Sequence, residues 1–234
     1  KPIDKKILKP SEIVELLKKY KVNGVAYTYS EPVVWFEYVL ETSKLIKKEN
    51  ENYYNVMVTN GFIEKEPLNE LIPFIDAFNI DLKTFDDRIY KRDLKGDLDN
   101  IKENIRLLHE KNKHIEITTL IVPGISNDLK MLENEFNFIS EVSKSIPLHL
   151  SRYYPRYKYD QIPTDIGVMK EVYHLAKKYL DHVYLGNVWN TNYESTYCSN
   201  CGEILIERNG YNIDIKNLDK NGGCIKCGSK EIET

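Results

Sequence analysis

From Ser11 to Asn187 the chain alternates between two hydrophobic rhythms, one with a period near 3.6 residues and one made of short apolar runs. Ile13, Leu16, Leu17 and Tyr20 fall at i, i+3, i+4 and i+7, the stripe of a helix that Ser11 is placed to cap. Gly24-Val25-Ala26-Tyr27-Thr28-Tyr29 follows as a strand, and Pro32 suits the first turn of a long helix reaching toward Lys48. Further strands are predicted at 53–59, 75–82, 114–122, 146–150 and 182–185. Between them, Leu129, Leu132, Phe136, Ile139 and Val142 mark a helix capped by Asn127 or Asp128, and Ile166, Met169, Tyr173 and Ala176 mark another within 164–180. Six strands separated by helices predict an α/β fold of parallel strands, covered on the outer face and curled toward a barrel.

Each apolar run ends in polar or backbone-special residues: Ser30-Glu31-Pro32, Thr59-Asn60-Gly61, Asp81-Leu82-Lys83, Pro123-Gly124, His149 with Ser151-Arg152, and Gly186-Asn187. In parallel α/β folds the carboxyl ends of the strands gather at one mouth, where active sites are built. Turns are polar in any fold, so one such cluster means little and six in order mean more.

Charged residues make up 29% of the chain and the net charge is −3, so no field of one sign draws in nucleic acid or an anionic membrane. A small molecule or a protein is the expected partner. No run reaches the ~18 apolar residues of a membrane span, and the opening segment is too charged for a signal peptide. A cytoplasmic location is therefore expected. The chain opens at Lys1 without a methionine, which reads as a fragment.

A reducing compartment turns attention to the four cysteines. Cys198-Ser199-Asn200-Cys201-Gly202 and Cys224-Ile225-Lys226-Cys227-Gly228 are two C-x-x-C-G turns, and each brings two sulfurs to one ion. Between them, apolar runs flank Asn209-Gly210, a hairpin signal. The pattern predicts a zinc ribbon over 196–234, behind an α/β domain over 1–195. Iron bound as in a rubredoxin is the competing metal.

With these features in place, the chain resembles radical-SAM enzymes, close to the pyruvate formate-lyase activating-enzyme group and nearest to the AmmeMemoRadiSam subfamily. Tyr27-Thr28-Tyr29-Ser30-Glu31-Pro32 is similar to the second-strand motif, Val58-Thr59-Asn60-Gly61 to the third and Asn79-Ile80-Asp81-Leu82-Lys83 to the fourth. The stretches 118–124, 148–155 and 186–188 continue the likeness to the ribbon. Three departures stand out. Tyr29-Ser30 replaces a glycine pair, Val58 stands where relatives often carry aspartate, and the C-x-x-x-C-x-x-C loop that holds a [4Fe–4S] cluster is missing, with every cysteine in the ribbon.

The resemblance implies a TIM-like partial barrel, S-adenosylmethionine and a [4Fe–4S] cluster in the intact protein, and reductive cleavage of S-adenosylmethionine to start radical chemistry on an unknown protein or small molecule. Memo-like and AMMECR-like companions are its implied partners. Glu31 is expected to contact the methionine amino group, with Thr59 and Asn60 offering further polar groups. Asp81 and Lys83 are expected to face the site from one side of a strand, His149 to meet the adenine and Arg152 to hold a carboxylate. Tyr27, Tyr29, Tyr153, Tyr154 and Tyr157 are candidate stacking or packing residues. Two other readings compete: a cluster-free homologue serving as a zinc-binding interaction module, and a barrel enzyme in which Lys83 forms a Schiff base.

Overall fold

A computed structural model describes residues 7–156, 159–189 and 192–232. Its contacts divide the chain into two compact units, Lys1–Asp81 with Gly96–Ile115, and Leu82–Lys95 with Glu116–Thr234. The strands are β1 (Gly24–Tyr27), β2 (Tyr54–Thr59), β3 (Ala77–Asp81), β4 (His114–Ile121), β5 (Leu148–Arg152), β6 (Val183–Gly186), β7 (Thr196–Tyr197), β8 (Ile204–Asn209) and β9 (Asn212–Ile215). The helices are α1 (Pro10–Tyr20), α2 (Phe36–Glu49), α3 (Lys65–Leu71), the short α4 (Asp87–Ile89), α5 (Leu98–Glu110), α6 (Leu129–Val142) and α7 (Ile166–Ala176).

In the first unit β1, β2 and β3 pair in parallel, with Tyr27 beside Met57 and Thr59 beside Ile80. Alternation along β2 buries Asn55, Met57 and Thr59 and leaves Val56 and Val58 half-exposed on the other face. Helix α1 packs its Val14 and Leu17 on Ile46 of α2, with Ile13 beside them; of the stripe expected, Leu17 is buried, Ile13 and Leu16 are half-buried and Tyr20 is exposed, and Val14 joins the buried face. Asn55 is fully buried and fully used: Nδ2 donates to Phe74 O (2.9 Å) and Ser43 O (3.3 Å), and Oδ1 accepts from Tyr27 Oη (3.1 Å). Asp76 accepts the Asn55 N–H at 2.7 Å and Lys47 Nζ at 2.6 Å.

The second unit repeats the plan with β4, β5 and β6, also parallel, and α6 and α7 packed on each other. Ile117, Thr119 and Ile121 are buried, whereas Glu116, Thr118 and Leu120 face the other way. The same unit holds a separate antiparallel sheet, β7-β8-β9.

Several local expectations shift. Helix α1 begins at Pro10, and its first-turn bond comes from Glu12, whose carboxylate accepts the Lys9 N–H at 2.7 Å; Ser11 lies inside the helix. Pro32 opens a 3₁₀ turn, Pro32–Trp35, before α2 starts at Phe36. Asp128 caps α6, while Asn127 accepts the Gly124 N–H. In the ribbon hairpin Asn209 pairs with Asn212, so the two turn residues are Gly210 and Tyr211, with Gly210 at φ 59°. That is a Gly-X turn, one residue along from the Asn-Gly expected.

Candidate functional site

Strand β1 ends at Tyr27 because Tyr29 and Ser30 both take left-handed backbone, at φ 60° and 57°. Such conformations cost a non-glycine residue ~1–2 kcal/mol each. The glycine-like conformation is thus present at the position of the motif's glycine pair although the glycines are not. Tyr29 is also 88% exposed, so no burial offsets its strain. Tyr29→Gly is expected to raise unfolding stability by up to about 1 kcal/mol, since released strain exceeds the added chain entropy. A shift of the urea midpoint to higher concentration checks it.

The strained turn delivers Glu31 to the end of β2. Its Oε1 accepts from Thr59 Oγ1 (2.6 Å) and Val33 N (3.3 Å), and its Oε2 from Asn60 N (2.8 Å). A carboxylate has about four acceptor positions, so roughly one remains for a ligand cation. Glu31 therefore fastens the exit of β1 to the exit of β2 and caps the 3₁₀ turn. Thr59 is buried, while Asn60 Oδ1 accepts the Phe62 N–H at 2.8 Å. Gly61 is required next, since at φ 73° an added Cβ would lie 2.8 Å from Ile80 Cγ2. Buried Asn104 of α5 holds this bend through Nδ2, which donates to Gly61 O (3.0 Å) and Ile63 O (2.8 Å).

Asp81 is the last residue of β3. Beyond this residue the in–out pattern continues, with Leu82 buried, its N–H donating to Thr118 O at 2.9 Å, and Lys83 half-buried as Asp81 is. Lys83 N–H donates to Tyr90 Oη at 3.0 Å.

In the second unit His149 lies beside Thr118 and Tyr184 in the strand register. Its Nε2 is 2.8 Å from Glu116 Oε2, and its ring stacks on Tyr184 with centroids 5.3 Å apart. Glu116 escaped the sequence reading, although it sits two residues before Thr118 and so on the same face of β4. Arg152 donates through Nε to Thr164 O (2.6 Å) and through a terminal nitrogen to Tyr154 Oη (2.7 Å), with its guanidinium 4.8 Å from the Tyr154 ring centre. Tyr27 and Tyr153 are buried packing residues, and burial raises the Tyr27 phenol well above its usual range. Tyr157 lies outside the described residues.

The ribbon gathers Cys198, Cys201, Cys224 and Cys227, their sulfurs all within 4.8 Å of one another. Cys198 and Cys227 Sγ are 3.5 Å apart and Cys201 and Cys224 Sγ 3.7 Å apart. A tetrahedron with metal–sulfur bonds of ~2.3 Å has edges of ~3.8 Å, so the four fit one ion. Gly202 (φ 74°) and Gly228 (φ 75°) turn their N–H groups back to Cys198 O (3.0 Å) and Cys224 O (2.8 Å), closing each knuckle. Hydrogen bonds from the Asn200 side chain and the Ser229 backbone bring the Cys227 thiol down to about 6, against a burial that raises it.

The model of the Radical SAM superfamily matches residues 1–136. The chain belongs to this superfamily. Over 225 residues it is 41% identical to an uncharacterized protein of Methanocaldococcus jannaschii, covering 94% of this chain and 66% of that protein. It is 29% identical over 107 residues to the pyruvate formate-lyase 1-activating enzyme of Escherichia coli K12, covering 45% of this chain and 43% of the enzyme. The crystal structure of Streptococcus suis SuiB bound to S-adenosylmethionine shares the fold, with a TM-score of 0.61 at 15% identity, over 80% of this chain and 45% of that one. This superfamily member carries four cysteines and places all of them in the ribbon. None is left among these 234 residues to ligate an iron–sulfur cluster, so the residues present do not fit that group.

Proposed function

We propose that the protein is a radical-SAM enzyme of the activating-enzyme kind, that it binds S-adenosylmethionine at the carboxyl ends of β1–β3, and that its ribbon holds structural zinc. The observation that carries this reading is the left-handed Tyr29–Ser30 pair feeding the Glu31 carboxylate onto Thr59 and Asn60. Backbone strain of this kind persists where surrounding structure over-determines it, and it clusters at ligand sites. In this reading Glu31 fixes the turn and offers its remaining acceptor position to the ligand's ammonium group, with Asn60 at the rim.

A [4Fe–4S] cluster would supply the electron for reductive cleavage of S-adenosylmethionine, but no cysteine outside the ribbon is present among these residues to hold it. These 234 residues lack its ligands, so the polypeptide by itself is expected to bind S-adenosylmethionine weakly and not to cleave it. The same cysteine census favours one competing reading, a cluster-free docking module. The acceptor of the chemistry is a protein or small molecule, and the AmmeMemoRadiSam likeness proposes Memo-like and AMMECR-like proteins as companions. A closed set of four thiolates suits zinc in a structural role.

Equilibrium dialysis of the polypeptide with labelled S-adenosylmethionine tests the assignment. Saturable binding that Glu31→Ala abolishes supports it. Saturable binding left unchanged by Glu31→Ala removes Glu31 from the site, and no binding at millimolar ligand removes the site.

A further inference from the structure

Strand β9 is the outer strand of the ribbon sheet, paired with β8 on one side and, among the described residues, with no strand on the other. All four of its residues are exposed. Tyr211 at the hairpin tip, Ile213 and Ile215 are 104%, 66% and 64% exposed. Alternation places these three on one face and Asn212 and Asp214 on the other. Edge strands are ordinarily guarded by charge, proline or a covering loop, and a bare apolar edge is a template for another strand.

The ladder with β8 decides which strand fits. Asn209 pairs with Asn212, Glu207 with Asp214, and the Lys216 N–H donates to Leu205 O at 2.9 Å. Bonded and non-bonded pairs alternate in an antiparallel ladder, so residues 212, 214 and 216 spend their N–H and C=O groups on β8, and Ile213 and Ile215 turn theirs outward. A twofold axis through Ile213 sets Ile213 against the partner's Ile213, Ile215 against the partner's Tyr211 and Asp214 against the partner's Asn212. Apolar meets apolar on one face, and carboxylate meets amide on the other. An axis through Asp214 would oppose two carboxylates, which is destabilising. An axis through Ile215 would need the Asn217 carbonyl, which already accepts the Ile225 N–H at 3.0 Å. The stretch Tyr211-Asn212-Ile213-Asp214-Ile215 is palindromic in polarity about Ile213, the symmetry that an isologous contact requires.

We propose that β9 pairs antiparallel with β9 of a second copy of this chain, centred on Ile213, and so joins two three-stranded ribbon sheets into one. The contact is short, which puts it among weak, concentration-dependent interfaces.

Sedimentation equilibrium of the metal-loaded protein across micromolar to near-millimolar concentration reads the association directly, with the expected result a monomer–dimer equilibrium. Ile213→Lys, at an exposed position, opposes two ammonium groups at the axis and is expected to raise the dissociation constant at least about tenfold. Metal content confirms that this variant keeps its ribbon. Bonded antiparallel neighbours have Cα atoms ~5.5 Å apart, within disulfide range, so mild oxidation should cross-link Ile213→Cys across the axis and Asp214→Cys far less. A monomer at every concentration, a dimer indifferent to Ile213→Lys, or equal cross-linking by both cysteine variants overturns the proposal.

Discussion

Cys201→Ser is expected to lose the ribbon's metal and unfold residues 196–232, while the parallel strands of both units keep their structure. The ribbon's buried core is Cys198, Leu205 and Cys224, with Ile206 and Leu218 packed against it, so two of three buried side chains are themselves ligands. So small a core cannot offset the ordering of its own backbone, at ~1–2 kcal/mol per residue. Metal binding is expected to supply the difference, with apparent values in comparable small domains of ~10–16 kcal/mol. Beyond this core, Arg208 donates to Thr196 Oγ1 (2.6 Å), and Thr196 meets Tyr184 Oη of β6 (3.1 Å). These bonds depend on a folded β8. Hydrogen exchange with elemental analysis reads the outcome: one metal ion per chain in the wild type, and in the variant fast exchange confined to the ribbon. Equal loss of protection in β1–β6 would contradict a separately metal-dependent ribbon, and stoichiometric iron would replace zinc as its metal.

Glu135→Gln is expected to abolish a fall in stability that the wild type shows as pH rises from 4.5 to about 8. Glu135 lies fully buried on α6, hydrogen-bonded through one oxygen to Thr119 of β4, and its Oε2 has no partner among the described residues. Burial pushes its carboxyl up to about 8, opposed by the Thr119 bond. The folded value exceeds the unfolded value of 4.5, so the folded state binds the proton more tightly. Stability from this group is complete below the unfolded value and is lost as pH rises through about 8. The wild type should match Glu135→Gln near pH 5 and fall below it by a margin on the order of a few kcal/mol by pH 9. Urea unfolding across that range measures the difference, and parallel pH profiles would show that Glu135 is charged in the folded state.

Six strands were legible because each is an apolar run bounded by turn residues, and the cysteine cluster because its members come in two local turns. What escaped depends on register or on backbone conformation. Tyr29 and Ser30 carry no mark of a left-handed turn, tyrosine being a good strand residue, so β1 reads two residues too long. The bond from Thr59 to Glu31 exists because β1 and β2 run parallel with Tyr27 beside Met57, a fact about pairing rather than about either segment. Likewise Glu116 meets His149 only once β4 and β5 are aligned.

The turn that carries Glu31 is tested most directly in a cluster-bearing form of this protein. Joined to a segment that supplies the three-cysteine loop, purified without oxygen and given a strong reductant and S-adenosylmethionine, it is expected to form 5′-deoxyadenosine. Glu31→Ala should lower that rate at least about tenfold by loosening both the turn and the ligand, whereas Cys201→Ser should leave most of it. A cluster-loaded protein that forms no 5′-deoxyadenosine, or a Glu31→Ala variant that forms it at the wild-type rate, would contradict the assignment of the site.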